Sequence, residues 1–473
     1  MSAQLDAYPL MLFNSLQFLV FFILVTTLFF IVQHRFRWML LLVASCYFYM
    51  VFKPIYILIL AFTIVIDFFA GLAIQQATSA IKKKVYLISS LIANVGILIV
   101  FKYWNFLADN INAVLQFSHS GEKIPLLEIL LPIGLSFHTF QAMSYTIEVY
   151  RGKQKAEQHF GIYALYVMFY PQLVAGPIER PQNIIPQFYA KKKFSYSNVK
   201  TGLVWITIGL FKKVFIADRL GSYVDSYYDN IEYLSFIPSF SATIFYSMQI
   251  YCDFSGYSSI ALGTAKCMGF NLMKNFNTPY QAHSITDFWR RWHISLSTWF
   301  RDYVYIPLGG NRGSVLQTMR NISIVFLLSG IWHGANWTFV AWGAIHAGLI
   351  ILETHLFSNH FADGQRSWMR QTMVFACVSI AWIFFRSPDF QQAFLVLKSL
   401  YSFEIDTSIS QISAFISPFN MILCWLCVPL VFLLDSIKTS TYRKHLLPLL
   451  VICSLLIITL GKSNEKAFIY FQF

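Results

Sequence analysis

Residues 321–352 contain no Asp, Glu, Lys or Arg. A membrane-spanning helix needs about 20 mostly apolar residues, so a tract of this length without a formal charge belongs inside a bilayer. Further apolar runs lie at 18–32, 38–51, 55–74, 85–101, 124–147, 160–174, 202–216 and 236–251, and then at 371–385, 415–434 and 446–460. Of the 473 residues 57% are hydrophobic and 12% charged, against about a quarter charged in soluble domains. There is too little polar surface here to clothe soluble cores. The pattern predicts an all-α, polytopic integral membrane protein with roughly ten to twelve membrane-embedded helices. No fixed-period repeat, low-complexity block or long polar linker interrupts it, so residues 1–473 read as a single membrane domain.

The formal net charge is +13. In a soluble protein that excess would raise the question of nucleic acid. Here the basic groups Lys82-Lys83-Lys84, Lys191-Lys192-Lys193, Lys212-Lys213 and Arg290-Arg291 punctuate apolar runs, which is how cytoplasmic loops are marked. The partners expected are membrane lipids, with no nucleic acid. The first sixteen residues hold no Lys or Arg, so a signal peptide's basic region is missing. Arg35 and Arg37 follow the first run and place its C-terminal end in the cytoplasm, with Met1 outside. Seven cysteines are scattered; only Cys424 and Cys427 form a CxxC, and no second pair or nearby His completes a metal site. They read as packed thiols, and no metal is expected.

Two stretches resist a plain bundle. Between Tyr170 and Pro181 three prolines after Tyr170 and a glycine break any helix, and broken backbone beside apolar spans survives only buried in protein or lining a wet cavity. Residues 275–312 are too polar to span and too apolar for disorder. From Ile285 the large residues Phe288, Trp292, Trp299 and Tyr303 recur at helical spacing, flanked by Arg290, Arg291 and Arg301. This predicts one amphipathic helix at the cytoplasmic interface, capped by Ser284 and stopped at Pro307-Leu308-Gly309-Gly310.

The residue with most to say is His333, in Gly330-Ile331-Trp332-His333-Gly334-Ala335-Asn336 within the uncharged tract. An ionisable group so placed is costly and points to function, and Trp332, Asn336 and the two glycines strengthen that reading. Continuous helix would put it about 20 Å from Arg320 at 1.5 Å per residue. His346 reads as structural and His138 as packed. Asp253 is expected to pair with an Arg or His and to hold architecture. His293, on the amphipathic element, is open on spacing alone between a solvated and a functional side chain. No GxSxG elbow, P-loop or HExxH is present. A buried histidine without a protein nucleophile suits general-base attack of a hydroxyl on a thioester, which needs no covalent acyl-enzyme. A transporter with a proton-relaying histidine is the rival class, but the paired internal repeats common in transporters are not evident.

Phe288-Trp289-Arg290-Arg291-Trp292-His293-Ile294-Ser295, Arg301-Asp302-Tyr303 and Ile306-Pro307-Leu308-Gly309-Gly310-Asn311-Arg312 resemble the membrane-bound O-acyltransferases, in particular the bacterial branch acting on alginate. Gly330-Ile331-Trp332-His333-Gly334-Ala335 resembles that branch's second histidine motif. Pro171-Gln172-Leu173, Gly209-Leu210-Phe211-Lys212-Lys213 and the C-terminal Phe468-Ile469-Tyr470 extend the likeness over nearly the whole chain.

The resemblance implies cytoplasmic and periplasmic funnels joined by a thin floor, with His333 catalytic and His293 the second family histidine. It implies passage of acetyl groups from acetyl-CoA, as substrate rather than bound cofactor, toward an exported polysaccharide such as alginate at the inner membrane. Peptidoglycan, cellulose, another exopolysaccharide or D-alanyl transfer are the alternatives. An extracytoplasmic SGNH-type acetyltransferase is the partner it implies, and an acyl carrier protein is the alternative donor. Arg290, Arg291, Trp292, Arg301, Trp332 and Asn336 are the candidates for donor binding or tunnel lining. For the arginines, plain topogenic charge is the competing reading.

Overall fold

The computed structural model describes residues 11–119, 122–174, 176–230, 235–356, 368–402, 416–437 and 439–461. Among them every regular element is a helix. Six are long and apolar enough to cross a membrane: Pro54–Gln76, Ala80–Phe117, Val315–His333, Trp337–Thr354, Trp368–Arg386 and Pro418–Ser436. Leu16–Ile31 and Leu446–Leu460 are apolar but shorter. Exposed side chains such as Leu24, Ile92 and Ile422 on these helices need lipid to cover them, so the chain is a multi-pass membrane protein. The similarity at Phe468-Ile469-Tyr470 lies outside the described residues.

Two compact units divide the chain: 1–206 with 258–273, and 207–257 with 274–469. In the first, Tyr145, Tyr163, Tyr166 and Tyr170 are fully buried. Asp67 accepts from the Ser90 hydroxyl at 2.5 Å and from the Asn94 amide at 2.9 and 3.0 Å, which ties Ile57–Gln76 to Ala80–Leu98. The run 124–147 is not one span. Its helix is Leu135–Tyr150, and the stretch before it has no regular secondary structure. Pro125 and Pro132 deny it a helix, and side chains seven residues apart on Trp104–Phe117 satisfy its backbone instead. Asn112 binds the Ile124 N–H and C=O at 2.7 and 2.9 Å, and Asn105 does the same for Leu127 at 2.8 and 2.9 Å.

The second unit corrects the reading of Lys212-Lys213 as loop punctuation. Both lie in a π-helical turn, Phe211–Ala217, that runs on into the helix Asp218–Tyr228, and both are buried. Lys212 pairs with Asp435 at 2.8 Å, and the Tyr251 hydroxyl donates to the same carboxylate at 2.7 Å. Lys213 pairs with Asp218 and Asp253, each at 2.8 Å. Two buried ammonium groups persist because carboxylates surround them. Asp253 thus finds a lysine rather than an Arg or His. Cys424 and Cys427 are buried on Pro418–Ser436, as their spacing on an apolar run foretold. The helix Phe390–Tyr401, capped by Asp389, falls outside every run read from the sequence because its buried face rests on little more than Ala393 and Val396.

Candidate active site

The uncharged tract folds as a helical hairpin. Val315–His333 starts at a capping box formed by Ser314 and Gln317. It ends at His333, and Asn336 caps the returning helix Trp337–Ile351 by accepting from the Thr338 N–H at 3.1 Å. The two arms touch backbone to backbone. A Cβ on Gly330 would come within 2.3 Å of the Phe339 carbonyl oxygen, and one on Gly343 within 2.3 Å of the Phe326 carbonyl oxygen. Glycine is required at both places. The helix is unbroken from Arg320 to His333, so the rise of about 20 Å between them holds, and the histidine stands at the hairpin's tip.

The expected amphipathic helix is broken in two, Ile285–Arg291 and Ile294–Phe300, and His293 sits at the corner in the left-handed region with φ 42° and ψ 55°. A side chain with a Cβ meets a steric cost there. Backbone from the preceding irregular segment holds the corner: Asn275 C=O accepts from Ile294 N–H at 2.9 Å, and Arg291 C=O accepts from Asn277 N–H at 2.9 Å. The Asn275 side-chain oxygen accepts from Ser295 N–H at 3.3 Å. The Ser284 cap and the stop at Gly309-Gly310, both glycines at positive φ, lie where the sequence put them. Glu353 accepts from the N–H groups of Ile285 and Thr286, and Trp289 donates its indole N–H to His346 Nδ1 at 3.2 Å. These contacts dock the first motif onto the returning arm of the hairpin.

Docking brings the two histidines to one indole. The Trp332 ring lies 4.9 Å from the His333 ring and 6.1 Å from that of His293. Trp342 and Phe385 close on His333 at 5.0 and 5.2 Å, while Phe254 meets His293 at 4.7 Å. His293 is 0% exposed and His333 3%, so His293 is not the solvated interfacial side chain its flanking arginines admitted. Outside the spanning helices, burial pushes the His293 imidazole down to about 3, which keeps it neutral. Trp292 joins the same aromatic cluster through Trp382 at 5.1 Å and Tyr251 at 6.1 Å. A neutral imidazole caged by rings can accept a proton from a hydroxyl brought beside it.

Arg290 is exposed, Arg291 pairs with Asp287 at 2.9 Å and Arg301 with its neighbour Asp302 at 2.8 Å. Asn336 is committed as a cap and to the Pro388 carbonyl at 2.5 Å. Trp342, Phe385, Asn275 and Glu353 build the site without having stood out in the sequence, and His346, read as structural, docks it; the partners that define them are 20 to 68 residues away. Among the described residues no three His, Cys, Asp or Glu side chains gather as metal ligands would.

Residues 158–388, which include both histidines, match the profile of the membrane-bound O-acyltransferase family. A probable alginate O-acetylase, AlgI, of Pseudomonas aeruginosa is 39% identical over 83% of this chain and 75% of its own. The peptidoglycan O-acetyltransferase of Helicobacter pylori is 35% identical over 92% of this chain and 91% of its own. A teichoic acid D-alanyltransferase of Bacillus subtilis is 30% identical over 55% of this chain and 66% of its own.

Proposed function

Since the chain belongs to the membrane-bound O-acyltransferase family, we propose that it passes acetyl groups from cytoplasmic acetyl-CoA toward an exported polysaccharide, with His333 as the general base. The observation that carries this reading is the burial of His333 at the hairpin tip, against the indole that also meets His293. His333 takes the proton of an acceptor hydroxyl as its oxygen attacks the thioester carbonyl carbon. The tetrahedral adduct then collapses: the C–S bond breaks, the new C–O ester bond remains, and the proton returns from the imidazolium to the leaving sulfur. No net proton is gained or lost. His293, kept neutral by burial, packs against the same Trp332 ring.

Alginate-like exopolysaccharide is the acceptor proposed first, with an SGNH-type partner completing delivery outside the inner membrane. Peptidoglycan is the second reading, favoured by the near full-length match to the Helicobacter pylori enzyme. Purified protein with radiolabelled acetyl-CoA tests the chemistry: wild type turns over the thioester and His333→Ala loses about 10²–10⁴-fold. Equal turnover by the two would overturn the mechanism. Turnover by wild type only with an acyl carrier thioester would replace the donor. Deleting the gene and measuring ester-linked acetate in muropeptides and in secreted polysaccharide then decides the acceptor.

A further inference from the structure

A basic cleft lies in the unit built from residues 1–206 and 258–273, lined by His34, Arg37, Lys192, Phe29, Phe188 and Phe270. Arg37 follows the first apolar helix, Leu16–Ile31, and its guanidinium donates to the Val32 carbonyl at 3.0 Å and to the Lys192 carbonyl at 2.6 Å. It also stacks over the Phe29 ring at 4.8 Å. The Lys192 ammonium sits 5.1 Å from the Phe270 ring, and Lys266, bound to the Asn271 side-chain oxygen at 2.7 Å, is close enough to repel it. Burial first and that repulsion second push Lys192 below its ordinary value. Among the described residues, no carboxylate forms an ion pair with Arg37, Lys192 or Lys266. The neighbouring acid, Glu157, is engaged by the Tyr189 hydroxyl at 2.7 Å and the His159 N–H at 2.9 Å.

Arg37 and Lys192, which share the cleft without a counter-charge, contrast with Lys212 and Lys213, each of which has its carboxylates. Packing fixes them all the same: two rings hold the charges from below, and backbone carbonyls orient the guanidinium. Around the cleft stand exposed aromatics, Phe36, Tyr189, Phe194 and Tyr196, on the segments that carry the cations or on their neighbours. Aromatic side chains left exposed beside basic ones at the end of an apolar helix mark the headgroup layer of a bilayer. That pairing favours a phosphate carried by a lipid over a phosphate free in water.

We infer that this cleft binds the headgroup phosphate of an anionic phospholipid, with Arg37 and Lys192 as its cationic contacts and the exposed aromatics lying along the acyl boundary. The inference is independent of the acyl-transfer reading. It is tested on the full chain in nanodiscs of phosphatidylcholine alone or with phosphatidylglycerol, by melting temperature and by native mass spectrometry of retained lipid. Lys192→Gln is the variant of choice, because it keeps the backbone carbonyl that Arg37 uses and breaks no ion pair; Arg37→Gln is the second. Phosphatidylglycerol should raise the wild-type melting temperature by about 2–4 °C and stay bound, and Lys192→Gln should lose at least half of both effects. Inorganic phosphate in phosphatidylcholine discs should do nothing. A full response in both variants, or an equal response to inorganic phosphate, would overturn the inference.

Discussion

Two buried polar clusters in the second unit differ in how their cost is met. Lys212 and Lys213 are matched by Asp435, Asp218 and Asp253 at 2.8 Å, so charge answers charge. His293 and His333 pack against rings: Phe254, Trp332, Trp342 and Phe385. The helix Phe236–Cys267 serves both, since Tyr251 and Asp253 reach the lysines while Phe254 reaches His293. An ion-paired lysine is locked in one charge state and can only hold architecture. An imidazole nitrogen can take up a proton and give it back, which is what a general base requires. The contrast separates groups that hold the site from groups that act in it.

Removing one partner of the ionic cluster should break the comparison most severely. Lys213→Met leaves Asp218 and Asp253 without their lysine and should destabilise the protein by about 3–5 kcal/mol, read as lost yield and a lowered melting temperature. A neutral result would mean the pairs carry no structural load. Gly330→Ala drives a methyl against the Phe339 carbonyl and should cost about 1–3 kcal/mol, with turnover falling as the hairpin tip shifts. Unchanged stability and turnover would deny the close approach of the arms.

Acid sharpens the same contrast. The His293 imidazole ordinarily titrates near 6.5 and is held to about 3 in the fold. The unfolded chain therefore binds more protons between those values. The stability tied to this group is complete above about pH 6.5 and declines as pH falls toward 3. Between pH 8 and pH 5 wild type should lose about 2 kcal/mol more than His293→Asn, whose side chain tolerates the left-handed corner. Identical acid sensitivity would mean His293 is not buried neutral. The smallest effect belongs to Arg301→Gln: kcat unchanged, and a KM for acetyl-CoA raised no more than about 3-fold and only at low salt. A large fall in kcat would bring this exposed arginine into the chemistry.

Most of the helices were legible because apolar runs of spanning length admit few other folds. The runs at 371–385 and 446–460 correspond to Trp368–Arg386 and Leu446–Leu460 almost residue for residue. His333 was legible because an ionisable side chain in an uncharged tract needs a reason. What could not be read depended on distant partners. The string Lys212-Lys213 looks like loop charge until Asp435, more than two hundred residues on, reaches it. Residues 124–134 are apolar enough for a span, and only Asn105 and Asn112 reveal that their backbone is satisfied from the side. The corner at His293 left no mark in a sequence of regular helical spacing, because Asn275 and Asn277 impose it from outside the motif.

The central claim is that His293 and His333 act as one unit across Trp332. Acetyl-CoA turnover by His333→Gln, His293→Asn and the double variant, all checked for wild-type melting temperature at pH 8, tests it directly. Groups acting as a unit are not additive, so the double variant should lose no more turnover than His333→Gln alone. Losses that multiply, or wild-type turnover by His333→Gln, would contradict it.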